Sequence, residues 1–300
     1  MKTQINPRTV IYFWLVIVGC MLPTTRSFAQ DTRIWATYYG GTGDDFGYST
    51  ATDASGNVYL AGGTNSTTGI ASAGAFQTTF GAGPGYQDGF LVKFDAAGNR
   101  LWATYYGGTG NDACTGVATD ASGNVYISGS TTTNTPGVIA SGGFQNTHGG
   151  GAFNAFLVKF DAAGNRLWAT YYGGTLNAYG NDVATDAFGN VYLGGETSDS
   201  TVNIASGGFQ NTYGGGPSDG YLVKFDAAGN RLWATYYGGT GSEYFSGKLA
   251  TDALGNVYLG GSTTSTTGIA SGGFQNTMVA GGGGFLAKFY VTGNRRWAIY

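Results

Sequence analysis

Three hundred residues carry 56 glycines, 21 tyrosines and 18 phenylalanines, but only 10% charged residues and a net charge of −3. A disordered chain needs few aromatics and high net charge, so the 15% aromatic content excludes that class and assigns the glycines to turns of a packed all-β protein. The acidic balance also excludes nucleic acid as a partner, because phosphate binding needs clustered Lys and Arg.

The first 29 residues read as an export signal. Lys2 and Arg8 form a positive start, residues 10–22 are almost unbroken apolar, and Ser27-Phe28-Ala29 supplies small residues at a cleavage site. Cleavage after Ala29 removes Lys2, Arg8 and Arg26, leaving 11 basic against 17 acidic groups and a net charge of −6. The expected address is secreted or on the cell surface. A lipoprotein is the alternative, since Ile17-Val18-Gly19-Cys20 resembles a lipobox that would anchor the chain at Cys20. No later stretch is apolar for long enough to form a transmembrane helix. Cys114 has Gly47, Gly180 and Ser246 as counterparts in other copies of the repeat, which marks a tight packing spot rather than a nucleophile.

From residue 30 onward the chain repeats. Trp35, Trp102, Trp168, Trp233 and Trp297 mark the period, at spacings of 67, 66, 65 and 64 residues. An extra strand is predicted at residues 32–39, followed by four blades at approximately 47–107, 114–173, 180–238 and 247–300. In the second copy the strand candidates are residues 116–120, 124–129, 155–160 and 166–172. Asp120-Ala-Ser-Gly-Asn124 joins the first two, and its equivalents start at Asp53, Asp186 and Asp252. The Asp accepts hydrogen bonds from the turn's own N–H groups, and Gly56, Gly123, Gly189 or Gly255 takes the positive φ of a type I turn with a G1 bulge. Two hairpins per period make a four-stranded antiparallel sheet of propeller-blade size, apolar on both faces as a sheet sandwiched between neighbours should be.

Between the second and third strands runs a long segment with its own phrase, Ile-Ala-Ser-x-Gly-x-Phe-Gln or a near variant, ending at Phe76, Phe144, Phe209 and Phe274. Its Ile and Phe are expected to plug each loop onto its blade. Variation concentrates at the loop tips, residues 81–87, 148–153, 213–218 and 278–283, where a protein or glycan ligand would bind.

The phrases Gly-Asn-Val-Tyr, Asp-Gly-Phe-Leu-Val-Lys-Phe and Gly-Asn-x-x-Trp-x-Thr-Tyr together resemble the SBBP β-propeller repeat of exported bacterial proteins, and the first two strands are similar to NHL repeats. The likeness covers residues 31–300. It implies a propeller and export, with no activity attached to the repeat. Departures gather in the last copy, where Gly283 replaces the Asp88/Asp219 position and Tyr290 the turn Asp. The N-terminal strand is expected to complete a compact ring of four blades of ~66 residues. The alternative is an open arc, or a fragment of a larger, seven-bladed propeller, which would self-associate through exposed blade faces.

Catalytic motifs are absent from the sequence. The single histidine, His148, stands at one loop tip without repeated partners. Asp44, Asp45, Asp112, Asp182 and Glu243 follow the Trp strands and are weak calcium candidates, because their spacing drifts from copy to copy. No other cofactor is indicated. The Lys93, Lys159, Lys224 and Lys288 series recurs as faithfully as the core, as does Arg100, Arg166, Arg231 and Arg295, which points to ion pairing within blades. The Tyr-Tyr pairs are expected to pack between blades. The sequence thus predicts an exported, non-catalytic binding or scaffold propeller. A polysaccharide hydrolase or lyase, using Asp45 or Asp112, and the repeat portion of a longer surface protein are the alternatives.

Overall fold

The computed structural model describes residues 34–200, 204–245, 247–279 and 281–300, so the expected signal segment and Cys20 lie outside the described residues. Among the described residues from Trp35 to Tyr300, regular structure is entirely β. Blade 1 contains β1 (Asp45–Thr52), β2 (Val58–Thr64), β3 (Asp88–Phe94) and β4 (Arg100–Tyr106), and blade 2 contains β5 (Asp112–Thr119), β6 (Val125–Thr131), β7 (Asn154–Phe160) and β8 (Arg166–Tyr172). Blade 3 is β9 (Ala178–Thr185), β10 (Val191–Thr197), β11 (Asp219–Phe225) and β12 (Arg231–Tyr237). Each of these is an antiparallel meander in chain order. In blade 4 the inner strand is split into β13 (Glu243–Tyr244) and β14 (Leu249–Thr251), both pairing with β15 (Val257–Thr263), which continues to β16 (Gly283–Phe289) and β17 (Arg295–Ile299). Residues 243–251 number nine where the other inner strands have eight. Those three strands absorb their irregularity as a single register shift, and the extra residue here breaks the ladder.

The first turn forms as its residues predict. Asp120 Oδ1 accepts from the N–H groups of Ser122 and Asn124 at 2.9 and 3.0 Å, and its Oδ2 takes the Asn124 amide and the Tyr126 hydroxyl. Gly123 sits at φ 79°. Lys159 lies 4.0 Å from Asp120 Oδ2 and 5.2 Å from the centre of the Tyr126 ring. The recurrent lysines therefore serve the first turn of their own blade in all four copies.

Each blade locks onto the next through the Trp of its outer strand. The indole N–H of Trp102 donates to the Ala162 carbonyl at 3.1 Å, and Trp168 and Trp233 do the same with Ala227 and Val291. The ring lies so close to the second-hairpin turn of the following blade that a Cβ on Gly164 would stand 3.0 Å from it. That glycine also holds φ at 89°, so two independent constraints exclude a side chain there. The second Tyr of each pair crosses the same boundary, Tyr106 to the Ile139 carbonyl and Tyr237 to that of Ile269 at 2.6 Å. Three apolar clusters result, joining blades 1 and 2, 2 and 3, and 3 and 4. Cys114 is fully buried in the first, at the small-residue position expected of it.

Among the described residues no such cluster joins blade 4 to blade 1. Threonine hydroxyls run along the inner strands from Thr119 to Thr52, Thr185 to Thr119 and Thr251 to Thr185, linking consecutive blades. On the free face of blade 1, Val58 and Leu60 are only partly buried where their counterparts Val125 and Ile127 are fully buried, and on that of blade 4 Phe274 is 96% exposed. The expectation that the N-terminal segment closes the ring is thereby corrected in favour of an open arc of four blades. Residues 34–40 belong to no sheet, because β17 already covers the edge of β16. Instead, Trp35 donates to the Ala96 carbonyl and stands over Gly98, and Tyr39 donates to the Ile70 carbonyl at 2.7 Å. Those are the contacts an outer strand makes with the blade that follows it, so this segment occupies the place of a blade preceding blade 1.

Candidate functional site: carboxylate pairs at the blade junctions

The five sequence-picked carboxylates do not form one group. Asp45, Asp112 and Glu243 are equivalent, each opening an inner strand. Asp112 Oδ1 accepts from the Thr131 hydroxyl, and its Oδ2 accepts from the Thr133 hydroxyl at 2.8 Å and the Gly108 N–H at 2.7 Å. Asp45 repeats this with Thr64, Ser66 and the Gly41 N–H, and Glu243 with Thr263 and the Gly239 N–H. In blade 3 the position is Ala178, and a carboxylate appears two residues beyond the second strand instead, at Asp199, which accepts from the Leu176 N–H at 2.8 Å. Asp44 is exposed at the surface. Asp182 lies deeper in β9 and crosses to blade 4, where it accepts from the Leu249 N–H at 2.7 Å and pairs with Lys248 at 3.2 Å. These two are corrected: neither shares the junction environment.

The second member of the site comes from the first residue of each third strand, a position that sequence reasoning treated only as part of a repeat phrase. Asp88 and Asp219 are fully buried there. Asp88 Oδ2 accepts from the Gly81 N–H at 2.7 Å and from Gln77 Nε2 at 3.2 Å, and Asp219 Oδ2 from the Gly214 N–H at 2.5 Å. The other oxygen of each, Oδ1, is buried without a hydrogen-bond partner. Both orphaned oxygens face the junction carboxylate of the next blade. A Cβ placed on Gly107 would stand 2.3 Å from Asp88 Oδ1 and 2.8 Å from Asp112 Oδ2, and one on Gly238 2.4 Å from Asp219 Oδ1 and 2.6 Å from Glu243 Oε2. Glycine at these positions leaves open the space on which the two carboxylates converge.

No Lys or Arg forms an ion pair with Asp88, Asp112, Asp219 or Glu243 among the described residues. Burial accordingly pushes the carboxyls of Asp88 and Asp219 up to about 7, and the neighbouring Asp112 or Glu243 charge adds to the shift. Burial also raises Asp112, against the hydroxyls that stabilise its anion. At the central junction neither of these two positions is acidic, and the buried carboxylate there is Asp199. Asn154 replaces the first, its Oδ1 accepting from the Gly149 N–H at 2.5 Å, and Ala178 replaces the second beside Gly173.

Outside that junction lies a cleft of about 330 Å³ lined by Phe144, Gln145, His148, Gly149, Gly173 and Thr175, among others. His148 packs edge-on against Tyr171 with centroids 5.5 Å apart, and burial lowers its pKa. The Tyr-Tyr pairs offer no stacking surface in blades 1 to 3, being at most 1% exposed at Tyr105, Tyr106, Tyr171, Tyr172, Tyr236 and Tyr237.

Meandering four-stranded sheets stacked face to face, each locked to its neighbour by an outer-strand Trp, define a β-propeller. Four stretches, residues 34–69, 101–134, 167–200 and 232–268, match the SBBP β-propeller repeat. The chain is an SBBP-type β-propeller repeat protein. Over 173 residues it is 27% identical to an uncharacterized WD repeat-containing protein of Acanthamoeba polyphaga mimivirus, a match covering 49% of this chain and 12% of that one. The chain therefore spans only a small part of that relative's length. It is also similar to a protein of unknown function from Dyadobacter fermentans, with a TM-score of 0.47, 11% identity and coverage of 87% and 70% of the two chains. A protein of unknown function from Bacteroides caccae matches with a TM-score of 0.34 at 12% identity, covering 85% and 81%. No helix among the described residues is long and apolar enough to cross a membrane.

Proposed function

We propose that this chain is an exported, non-catalytic scaffold and binding module that assembles through the free ends of its blade arc. One comparison carries the reading. Phe76, Phe144 and Phe209 each lie under the guanidinium of the following blade's Arg166, Arg231 or Arg295, at 4.5, 4.4 and 4.3 Å. Phe274, the fourth of the series, is 96% exposed beside Trp297 and Ile299. That patch is shaped for a following blade, and the opposite end presents the partly buried Val58 and Leu60 where a preceding blade would pack. The partner this geometry fits is a second copy, head to tail, or further repeats of a longer polypeptide. An incoming copy would set its Trp297 on Gly98, the seat that Trp35 now holds.

Sedimentation velocity of the chain from Gln30 onward tests this. Concentration-dependent association is expected, weakened by Phe274→Asp and strengthened by Trp35→Ala. A monomer at all concentrations, indifferent to both substitutions, would refute self-assembly. The cleft around Phe144 and His148 supports a second contact, with a glycan or protein segment at the loop tips. Loss of binding on His148→Ala in a glycan array checks it. The non-catalytic reading is supported by Asp112, which is buried with both oxygens engaged and so is poorly placed for the acid–base work a hydrolase requires. Export rests on the first 29 residues, and the N-terminal sequence of secreted protein distinguishes cleavage after Ala29 from lipid attachment at Cys20.

A further inference from the structure

We infer that the first and third blade junctions are a matched pair of divalent-cation sites, one held by Asp88 and Asp112 and the other by Asp219 and Glu243. The cation class is hard and oxygen-seeking, with calcium its first member.

Three observations converge. First, Asp88 Oδ1 and Asp219 Oδ1 are fully buried and accept no hydrogen bond, although each of the other six oxygens of the four carboxylates has a donor. An orphaned buried acceptor is costly, and more so when it is charged, so its retention needs a partner that the chain does not supply. Second, that oxygen converges with one from the facing carboxylate on the space beside Gly107 or Gly238. Two anions facing each other in a dry junction repel unless a cation or a proton lies between them. Third, the two facing positions change together. The central junction, built from the same repeat, has Asn154 and Ala178, and the Asn turns its oxygen to the Gly149 N–H and its amide to the Phe153 carbonyl, so nothing is left over. A fold that only needed to cap the strand would use Asn throughout.

A shared proton is the competing resident, and the two differ in what they predict. Hard divalent cations take carboxylate, carbonyl, hydroxyl and water oxygens, and the Thr133 hydroxyl, a rotor, already stands at the first site. A single bridging proton leaves one negative charge in the junction, whereas a divalent cation neutralises the pair. Holding two blades by one ion also suits an arc whose blades are otherwise joined by side-chain packing.

The experiment is calorimetric titration of the EDTA-stripped mature chain with calcium chloride, alongside thermal unfolding. About two ions per chain are expected, at the roughly 0.1–1 mM affinity of extracellular calcium modules, with a rise in Tm. Asp88→Asn removes one ion and Asp219→Asn the other. Both imitate the natural Asn154, so folding should survive, and circular dichroism verifies it. The double substitution Asn154→Asp with Ala178→Asp is expected to raise the count from two to three. Absence of binding heat and of any Tm change with calcium, magnesium or manganese, in a folded chain that gains stability as pH falls from 7 to 5, would overturn the cation sites and leave shared-proton pairs. Unchanged stoichiometry in Asp88→Asn and Asp219→Asn would overturn the assignment as well. Neither result depends on whether the arc self-associates.

Discussion

Two sets of aspartates recur in this chain, and their surroundings drive them in opposite directions. The turn aspartates sit inside a ring of donors. Asp186 accepts from the N–H groups of Phe188 and Asn190, the Asn190 amide and the Tyr192 hydroxyl, with Lys224 at 3.6 Å. In Asp161 and Asp226, burial opposes ionisation but the Asn165 and Asn230 hydrogen bonds outweigh it and hold the carboxyls below the usual range. The junction aspartates meet burial with too few donors and a facing anion, and rise to about 7. Recurrence alone does not distinguish them. A residue repeated because its own turn needs it is a structural part, whereas one repeated with an unsatisfied atom faces something outside its blade.

The largest break in this comparison is expected from Asp186→Ala. It strips a nearly buried Lys224 of its counter-charge and leaves several turn donors unmet, for a loss of about 3–5 kcal/mol by urea denaturation. A loss below about 1 kcal/mol would show that the turn carboxylate is dispensable. Gly107→Ala should follow at about 1–3 kcal/mol, since the new methyl would stand 2.3 Å from Asp88 Oδ1. Adding Asp88→Ala should recover much of that cost, and strict additivity would argue against the crowding.

A pH profile sharpens the contrast. A raised carboxyl pKa contributes stability that is full below its unfolded value near 4 and disappears as pH rises through about 7. A lowered one contributes stability present above that value and lost as pH falls. In EDTA the chain should therefore gain stability from pH 7.5 to 5, by at most ~1.4 kcal/mol per pH unit for each junction, then lose it below pH 4. Asp88→Asn with Asp219→Asn should flatten the upper limb only. An unchanged upper limb would remove the junctions as its source. The smallest effect is expected at Asp161→Asn, at or below ~1 kcal/mol, because the amide oxygen still accepts from the turn N–H groups. Thermal unfolding measures it.

The hairpins, the blade order and the turn chemistry were legible because each depends on residues within a few positions of one another. Asp120, Gly123 and Asn124 declare their turn without help from the rest of the chain. The junction site was half legible. Asp112 and Glu243 stood out as loop carboxylates, while Asp88 and Asp219 hid inside a strand phrase whose other members are core residues. The usable signal was the joint change to Asn154 and Ala178, which looks like unrelated drift until the strand starts are seen to face each other. Asp44 and Asp182 were grouped with the site by proximity in sequence, but a strand sends neighbouring side chains to different faces and depths.

An all-β repeat of four-stranded blades follows from the residues alone, since local hydrogen bonding and period-2 patterning need no distant partner. Whether the arc closes is a matter of packing between blades. Closure depends on the accumulated rotation of four blades and on β17 already covering its own sheet edge, and no single repeat encodes either. Packing also decided which aspartates face one another across a junction, because that meeting joins residues 24 positions apart on different blades, at Asp88 and Asp112 and again at Asp219 and Glu243. Charge in a buried junction is set by what the neighbouring blade presents, and only the packed arc reveals it.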